Sequence, residues 1–307
     1  MSHTKPHKQT LKMRLILYSL LSLTIISSLK AQQDTSGWRL VRYKIQDADF
    51  FVAHNPTAEA YRKRADLKYQ IQDYNGAIED YNQALQLNPE YAWAYFSRAC
   101  AEDELKDYYQ ALVDYNTAIS LKPAYKQAYD NRGITKSHLK DYQGAIEDYT
   151  KSIEVYAKDP TAYYNRGIAK EKMNNYKDAI DDFTKALQLD STNAESYFER
   201  GASKAIIEDY IGAIEDLTKT IKLYPDYADA YNNRGIAKYN FKDYKGAIPD
   251  FTKTIQLSPA YHNAYYYRGN CKDKTGDSDG ACADFIKAIQ LGNQDAKKVI
   301  NKNCKLK

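Results

Sequence analysis

A tyrosine recurs at one constant spacing seven times over, at Tyr61, Tyr95, Tyr129, Tyr163, Tyr197, Tyr231 and Tyr265, with no insertion or deletion between copies. A fixed period of this size describes stacked supersecondary units, each burying its apolar face on its neighbours, instead of one globular core. The copies run 58–91, 92–125, 126–159, 160–193, 194–227, 228–261 and 262–295. Such arrays present surfaces and seldom carry chemistry. No phosphate loop, G-x-S-x-G or H-E-x-x-H interrupts them, and His54, His138 and His262 are isolated. The chain is therefore read as a non-enzyme that needs no cofactor and no metal. Aligning Gly280 as the turn glycine of a calcium loop puts Thr275 and Ile286 where carboxylates are required, so Asp273, Asp277 and Asp279 are read as part of an inter-helix turn.

With Ala58 as position 1, each copy contains two helical patterns. The first has Tyr at position 4, Arg at 7 and Gly or Ala at 8. An Asp or Asn follows at position 16, suited to cap the free N–H groups of a second helix. That helix carries Ala at 20, an aliphatic at 21 in six copies, an aromatic at 24 in six copies and an aliphatic at 28 in all seven, which makes one apolar stripe. Pro89, Pro123, Pro225 and Pro259 at position 32 are expected to stop it, and Pro249 to bend it in the sixth copy. Gly133, Gly167, Gly201, Gly235 and Gly269 at position 8 are expected to face Ala145, Ala179, Ala213, Ala247 and Ala281, letting the two backbones approach closely.

Small residues at 8 and 20, the aromatic at 24 and Pro at 32 resemble the tetratricopeptide repeat over Ala58 to Asp295. The resemblance implies an all-α fold, a right-handed α-solenoid of seven 34-residue helix-turn-helix repeats, here with a C-terminal cap helix over 296–307. Two positions depart from the family: Arg stands at 7 where Leu is usual, and Lys or Glu at 11 where Tyr is common. Position 23 is Asp in every copy, and in an antiparallel pair closest at 8 and 20 it lies beside position 7. A ladder of Arg–Asp pairs follows, with Arg132–Asp148, Arg166–Asp182 and Arg234–Asp250 as its central members. The other reading of the arginines is a row of cationic ligand contacts.

In the resembled family the first helices line a concave groove through positions 2, 5, 9, 12 and 13. Those positions here hold the aromatics Trp93, Phe96, Tyr164, Phe198, Tyr266, Tyr69 and Tyr239. They also hold nine acids (Glu59, Asp66, Asp103, Glu104, Asp130, Glu171, Glu195, Asp229 and Asp273) against three bases (Arg62, Lys172 and Lys274). Packing against neighbouring helices is the alternative for each ring. The family's Lys/Asn/Arg clamp for a C-terminal carboxylate is not reproduced: Asn131, Asn165 and Asn233 match its asparagine, but position 5 never holds Lys.

The array does not account for the chain before Ala58. Lys5, Lys8, Lys12 and Arg14 precede an apolar run from Leu15 to Leu29, which ends at Lys30. The run is shorter than a membrane span and fits an export signal over 1–31 that is cleaved after Ala31; an uncleaved anchor is the alternative. Without this segment 39 basic residues meet 40 acidic ones, which excludes the basic stripe of a nucleic-acid binder, and no membrane span remains in the mature chain. Residues 32–57 carry no single assignment: Val41, Tyr43 and Ile45 alternate with Arg42 and Lys44 as in a strand, while Phe50, Phe51 and Val52 suit contact with the first repeat. Beyond the array, Ala296, Val299, Ile300 and Cys304 share one face of the cap. Cys282 and Cys304 are equally far from Asn293 along the chain, one before it and one after, and so come level in an antiparallel hairpin. A Cys282–Cys304 disulfide is the first expectation, Cys271–Cys282 the second, and four thiols filling small holes the third. The functional expectation is an exported scaffold, periplasmic or secreted, that binds a protein or peptide segment along an aromatic, acidic groove. The alternative is a cell-envelope glycan binder that stacks sugars on the same rings.

Overall fold

The computed structural model describes residues 35–304, and every regular element among them is an α-helix. Helix α1 (Thr35–His54) precedes seven hairpins. These are α2 (Ala58–Gln70) with α3 (Tyr74–Leu87), α4 (Ala92–Glu104) with α5 (Tyr108–Leu121), α6 (Lys126–His138) with α7 (Tyr142–Val155), and α8 (Pro160–Lys172) with α9 (Tyr176–Leu189). They continue as α10 (Ala194–Ile206) with α11 (Tyr210–Leu223), α12 (Ala228–Asn240) with α13 (Tyr244–Leu257), and α14 (His262–Lys274) with α15 (Ser278–Gln290), before α16 (Gln294–Asn303). The chain divides into two compact units, one ending at Leu121 with α1 to α5 and one from Lys122 with α6 to α16. Inside each, the hairpins stack in chain order as an α-solenoid. The expected export signal lies outside the described residues, and no described helix is long and apolar enough to cross a membrane.

The hairpin turn depends on a left-handed residue at position 15. Gln72, Lys106, Lys140, Asn174, Glu208 and Lys242 have φ between 62 and 68°, and Gly276 has φ 91°. The next residue caps the second helix: Asp73, Asp141, Asp209, Asp243 and Asp277 accept from the backbone N–H of Gly76, Gly144, Gly212, Gly246 and Gly280 at 2.9–3.0 Å. Glycine suits the place, because a Cβ would stand 2.0–2.4 Å from the other oxygen of the capping carboxylate, Oδ2. Where it is replaced the cap loosens. Asp107 reaches the N–H of Gln110 only at 3.5 Å, and Asn175 caps nothing, its amide donating instead to Asp178 at 2.7 Å.

One expectation about the second helices needs correction, and one about the first helices needs widening. The prolines at position 32 do not set the helix end, since α7 and α9 stop at the same register with Ala157 and Ser191 there. An extended residue at position 31 ends them instead, Tyr156 after α7 and Asp190 after α9. The glycines at position 8 accommodate the ring at position 24 as well as the backbone at position 20, where a Cβ on Gly201 or Gly269 would stand 3.3 or 3.2 Å from the carbonyl oxygen of Ala213 or Ala281. A Cβ on Gly133, Gly167, Gly235 or Gly269 would come within 2.7–2.8 Å of Tyr149, Phe183, Phe251 or Phe285. Helix α13 runs unbroken through Pro249 and is as long as its counterpart α3.

Every hairpin contains the Arg–Asp pair in bidentate form. Nε and Nη2 of Arg64, Arg98, Arg132, Arg166, Arg200, Arg234 and Arg268 donate to both carboxylate oxygens of Asp80, Asp114, Asp148, Asp182, Asp216, Asp250 and Asp284 at 2.5–3.0 Å. Each guanidinium lies 5.5–5.7 Å from the ring of its own hairpin's position-4 tyrosine. In six hairpins the lysine at position 11 adds a second cation, as Lys170 does to Asp182 at 2.7 Å. The remaining guanidinium nitrogen, Nη1, reaches the preceding hairpin: Arg98 donates to Asn82, and Arg166, Arg200, Arg234 and Arg268 donate to Thr150, Thr184, Thr218 and Thr252 at 3.0–3.1 Å. Replacing Arg166 with Leu takes two of three donors from buried Asp182 and cuts the link to Thr150. Urea unfolding should show a loss of about 3 kcal/mol. Adding Asp182→Asn should restore part of it.

The ladder has one defect. Position 11 of the second hairpin is Glu102, 6% exposed, with Oε2 unpartnered and Oε1 no closer than 3.9 Å to Arg98 Nε. Burial, and after it the neighbouring Asp114, pushes this carboxyl up to about 8. The unfolded chain ionises it in the ordinary glutamate range, so its cost to stability grows from there and is complete above about 8. Changing Glu102→Lys should supply the missing cation and raise stability by roughly 1–3 kcal/mol at alkaline pH. Thermal melts from pH 5 to 9 should lose the corresponding slope.

Both ends of the array are capped. The strand reading of Val41, Tyr43 and Ile45 is overturned, because residues 35–54 form α1. Val41, Ile45, Ala48 and Val52, at helical spacing, are the more buried face of α1, which packs against α2. Asp49 accepts from Arg64 Nη1 at 2.8 Å, taking the part that position 25 plays between hairpins. At the other end α16 starts at Gln294, two residues before the expected cap, where the Asn293 side chain accepts from the Ala296 N–H at 2.8 Å. Ala296, Val299 and Cys304 pack on Phe285 and Ala288. Cys282 and Cys304 are joined across this contact with Cα atoms 5.6 Å apart, while Cys271 is a buried thiol that burial pushes up to about 12. Non-reducing peptide mapping should recover the Cys282–Cys304 fragment, and Cys304→Ser should cost about 3 kcal/mol.

Candidate functional site

The first helix of each hairpin carries the expected ligand-facing residues, and the two units use them differently. In the first unit they are largely satisfied among themselves. Arg62 donates to Glu59 at 2.6 and 2.8 Å and to Asp66 at 2.7 Å, and its guanidinium lies 4.8 Å from the Trp93 ring. Tyr91 donates to Glu59 at 2.7 Å and Tyr81 to Asp66 at 2.9 Å. The bonds from Arg62 and Tyr91 hold the Glu59 carboxyl down at about 2, while burial raises that of Asp66 to about 6. Trp93 also meets Tyr81 edge-on, Tyr69 meets Tyr74 edge-on, and Phe96 packs against Tyr115. Tyr115 donates to Asp103 at 2.7 Å. The acids counted from sequence overstate the free negative charge here.

The second unit leaves more open. Asp130 is neutralised by Lys126 at 2.5 Å, and Lys126 also pairs with Asp159. Half-buried Tyr164 lies against Phe183. Its hydroxyl is pushed up by burial first and then by Glu199, Glu195 and Glu171 around it. Glu195 is exposed in the first turn of α10, Glu171 accepts from Ser203, and Asp229 accepts from Tyr261 at 2.8 Å. Phe198 has to be withdrawn: at 2% exposure it sits in the core with Ala230, Tyr227 and Leu217, the last standing at position 24 where the other hairpins have a ring. Tyr239 and Tyr266 belong to a cluster with Tyr244 and Tyr267, centroids 5.4 Å apart.

Three participants were missed by the sequence reading. Glu199 and Tyr267 stand at position 6, outside the positions carried over for a groove. Their signal is that position 6 is acidic or aromatic only in these two repeats. Lys126 stands at position 1, and nothing in the repeat pattern marks it. Among the described residues no group of three or more His, Cys, Asp or Glu side chains is arranged to hold a metal ion. Asp277 of the rejected calcium loop is the cap on Gly280.

Family models described as tetratricopeptide repeat match residues 94–125, 126–159, 160–193 and 208–262, and one described as TPR repeat matches 65–101. The chain belongs to the tetratricopeptide repeat family. Among solved structures it resembles MamA, with 30% identity, 54% of this chain and 96% of that one covered, and a TM-score of 0.51. The C-terminal part of a TPR repeat-containing protein from Cytophaga hutchinsonii is 21% identical over 77% of this chain and 98% of its own, with a TM-score of 0.67. YrrB, described as a TPR protein with an unusual peptide-binding site, is 22% identical over 60% of this chain and 95% of its own, with a TM-score of 0.56. At these identities the last two establish the fold alone. Comparison with curated proteins gives no match.

Proposed function

We propose that this tetratricopeptide protein is an exported, non-enzymatic scaffold that holds an extended, basic segment of a partner protein against α8, α10 and α12. The carrying observation is Tyr164, a half-buried ring lying against Phe183, with Glu199, Glu195 and Glu171 near enough to oppose the ionisation of its hydroxyl. A lysine or arginine side chain suits such a place: its stem lies on the ring and its charge meets the carboxylates. The peptide-binding site named for YrrB makes a peptide ligand reasonable for a chain of this fold. Stacking of sugars is less well supported, because sugar rings need open aromatic faces. Arg62 covers that of Trp93, and Phe198 is buried. Export rests on the basic and apolar pattern of residues 1–31.

Fluorescence anisotropy with a labelled extended decapeptide of alternating Lys and Ala, beside its Glu counterpart, tests the site. The basic peptide should bind with strong salt dependence. Changing Glu195→Lys or Tyr164→Ala should weaken it about tenfold with the melting temperature unchanged for Glu195→Lys. Equal binding of the acidic peptide removes the assignment. Export predicts that protein recovered from the producing cell's envelope or medium begins at Gln32.

A further inference from the structure

Helix α1 has a second face. Opposite the residues turned toward α2, Leu40, Tyr43, Phe50 and Phe51 share a 100° arc and are 55, 62, 60 and 63% exposed. Arg39 flanks this arc on one side and Lys44 on the other, with Arg42 further round on the Arg39 side, all exposed. The one acid on the arc is Asp47; Asp49, further round, is occupied by Arg64. No other described helix exposes two phenylalanines. A cap needs a single apolar face, so the role of α1 in closing the array does not explain this one.

Two further facts bear on what covers it. Basic side chains at both edges of an apolar arc place charge where the phosphates of a lipid surface lie, with the rings below them at acyl-chain depth. In sequence the apolar run Leu15–Leu29 ends shortly before Thr35, where α1 begins. If the run stays it holds α1 close to a bilayer, and if it is removed α1 becomes the first element of the chain.

We propose that α1 lies on the surface of an anionic phospholipid membrane, with Leu40, Tyr43, Phe50 and Phe51 inserted at the interface and Arg39, Arg42 and Lys44 among the headgroups. The chain is thereby held at the membrane by its N-terminal cap, without α1 spanning it. This is independent of what binds at Tyr164.

The test uses the full chain with Cys100→Ser and an environment-sensitive fluorophore on Tyr43→Cys; a control carries the fluorophore on Lys63→Cys of α2. Vesicles are phosphatidylcholine alone or mixed equally with phosphatidylglycerol. With the mixed vesicles the probe at 43 should shift to the blue and be quenched by brominated acyl chains, while the probe at 63 does neither. Changing Phe50→Ser with Phe51→Ser should weaken the shift about tenfold at unchanged helicity, and Arg39→Glu with Arg42→Glu should remove the preference for anionic vesicles. A probe at 43 that stays in water while the chain is vesicle-bound overturns the proposal, because residues 15–29 alone would then be the anchor. A lipid-independent shift also overturns it: one that grows with protein concentration identifies a second copy on the face, and one that does not identifies another segment of the same chain.

Discussion

The bidentate arginine at position 7 holds this array together in two directions. Two of its nitrogens close the hairpin on the aspartate of the second helix, and the third reaches a threonine or asparagine of the preceding hairpin. A leucine there would bury apolar area without fixing an angle, whereas a planar guanidinium with three acceptors in fixed places sets the pitch of one hairpin on the next. The arrangement is eased because six of the seven buried aspartates also have a lysine. With two cations and full hydrogen bonding, the desolvation of the carboxylate is offset. Glu102 shows the converse, since without its lysine the same location contains an orphaned oxygen and a carboxyl pushed toward neutrality.

Much of this was legible in the sequence, because a repeat performs its own comparison. Seven copies with Arg at 7 and Asp at 23 left little else for the pair to do in an antiparallel hairpin. The link to the preceding hairpin was missed, although the sequence carries a signal for it. The acceptors Asn82, Thr150, Thr184, Thr218 and Thr252 all stand at position 25, which is Ile286 in the last copy, where no arginine follows. The turn was legible too, as the aspartate before each second helix, but its dependence on a glycine three residues later required coordinates. Residues 35–54 were left unassigned because five alternating residues cannot distinguish a strand from a helix when the helical period is set by Val41, Ile45, Ala48 and Val52.

The candidate site was less legible than the fold for a physical reason. Family positions identify which side chains point to the ligand face, but charge on that face depends on partners from other positions. Glu59 and Asp66 share Arg62, Asp103 takes the hydroxyl of Tyr115, and Asp130 takes Lys126. Around Tyr164 a position that contributes is one that the groove pattern omits, Glu199. A sum of charges over a face therefore misleads.

The two ends of the array show how the same requirement is met by unlike means. At the C-terminus the acceptor position becomes Ile286, α16 buries Ala296 over Phe285, and a covalent link between Cys282 and Cys304 holds a helix only ten residues long. So short a helix buries too little to stay docked by packing alone, and the disulfide supplies what area cannot. At the N-terminus α1 has twice that length and no covalent link, and it satisfies the first arginine through Asp49. Length lets it close the array with one face and present another. A cap that needed only to exclude water would carry polar residues outside, as the glutamines and lysines of the repeat surfaces do. The rings of Tyr43, Phe50 and Phe51 stand there instead, so the outer face of α1 is under a different constraint from the inner one.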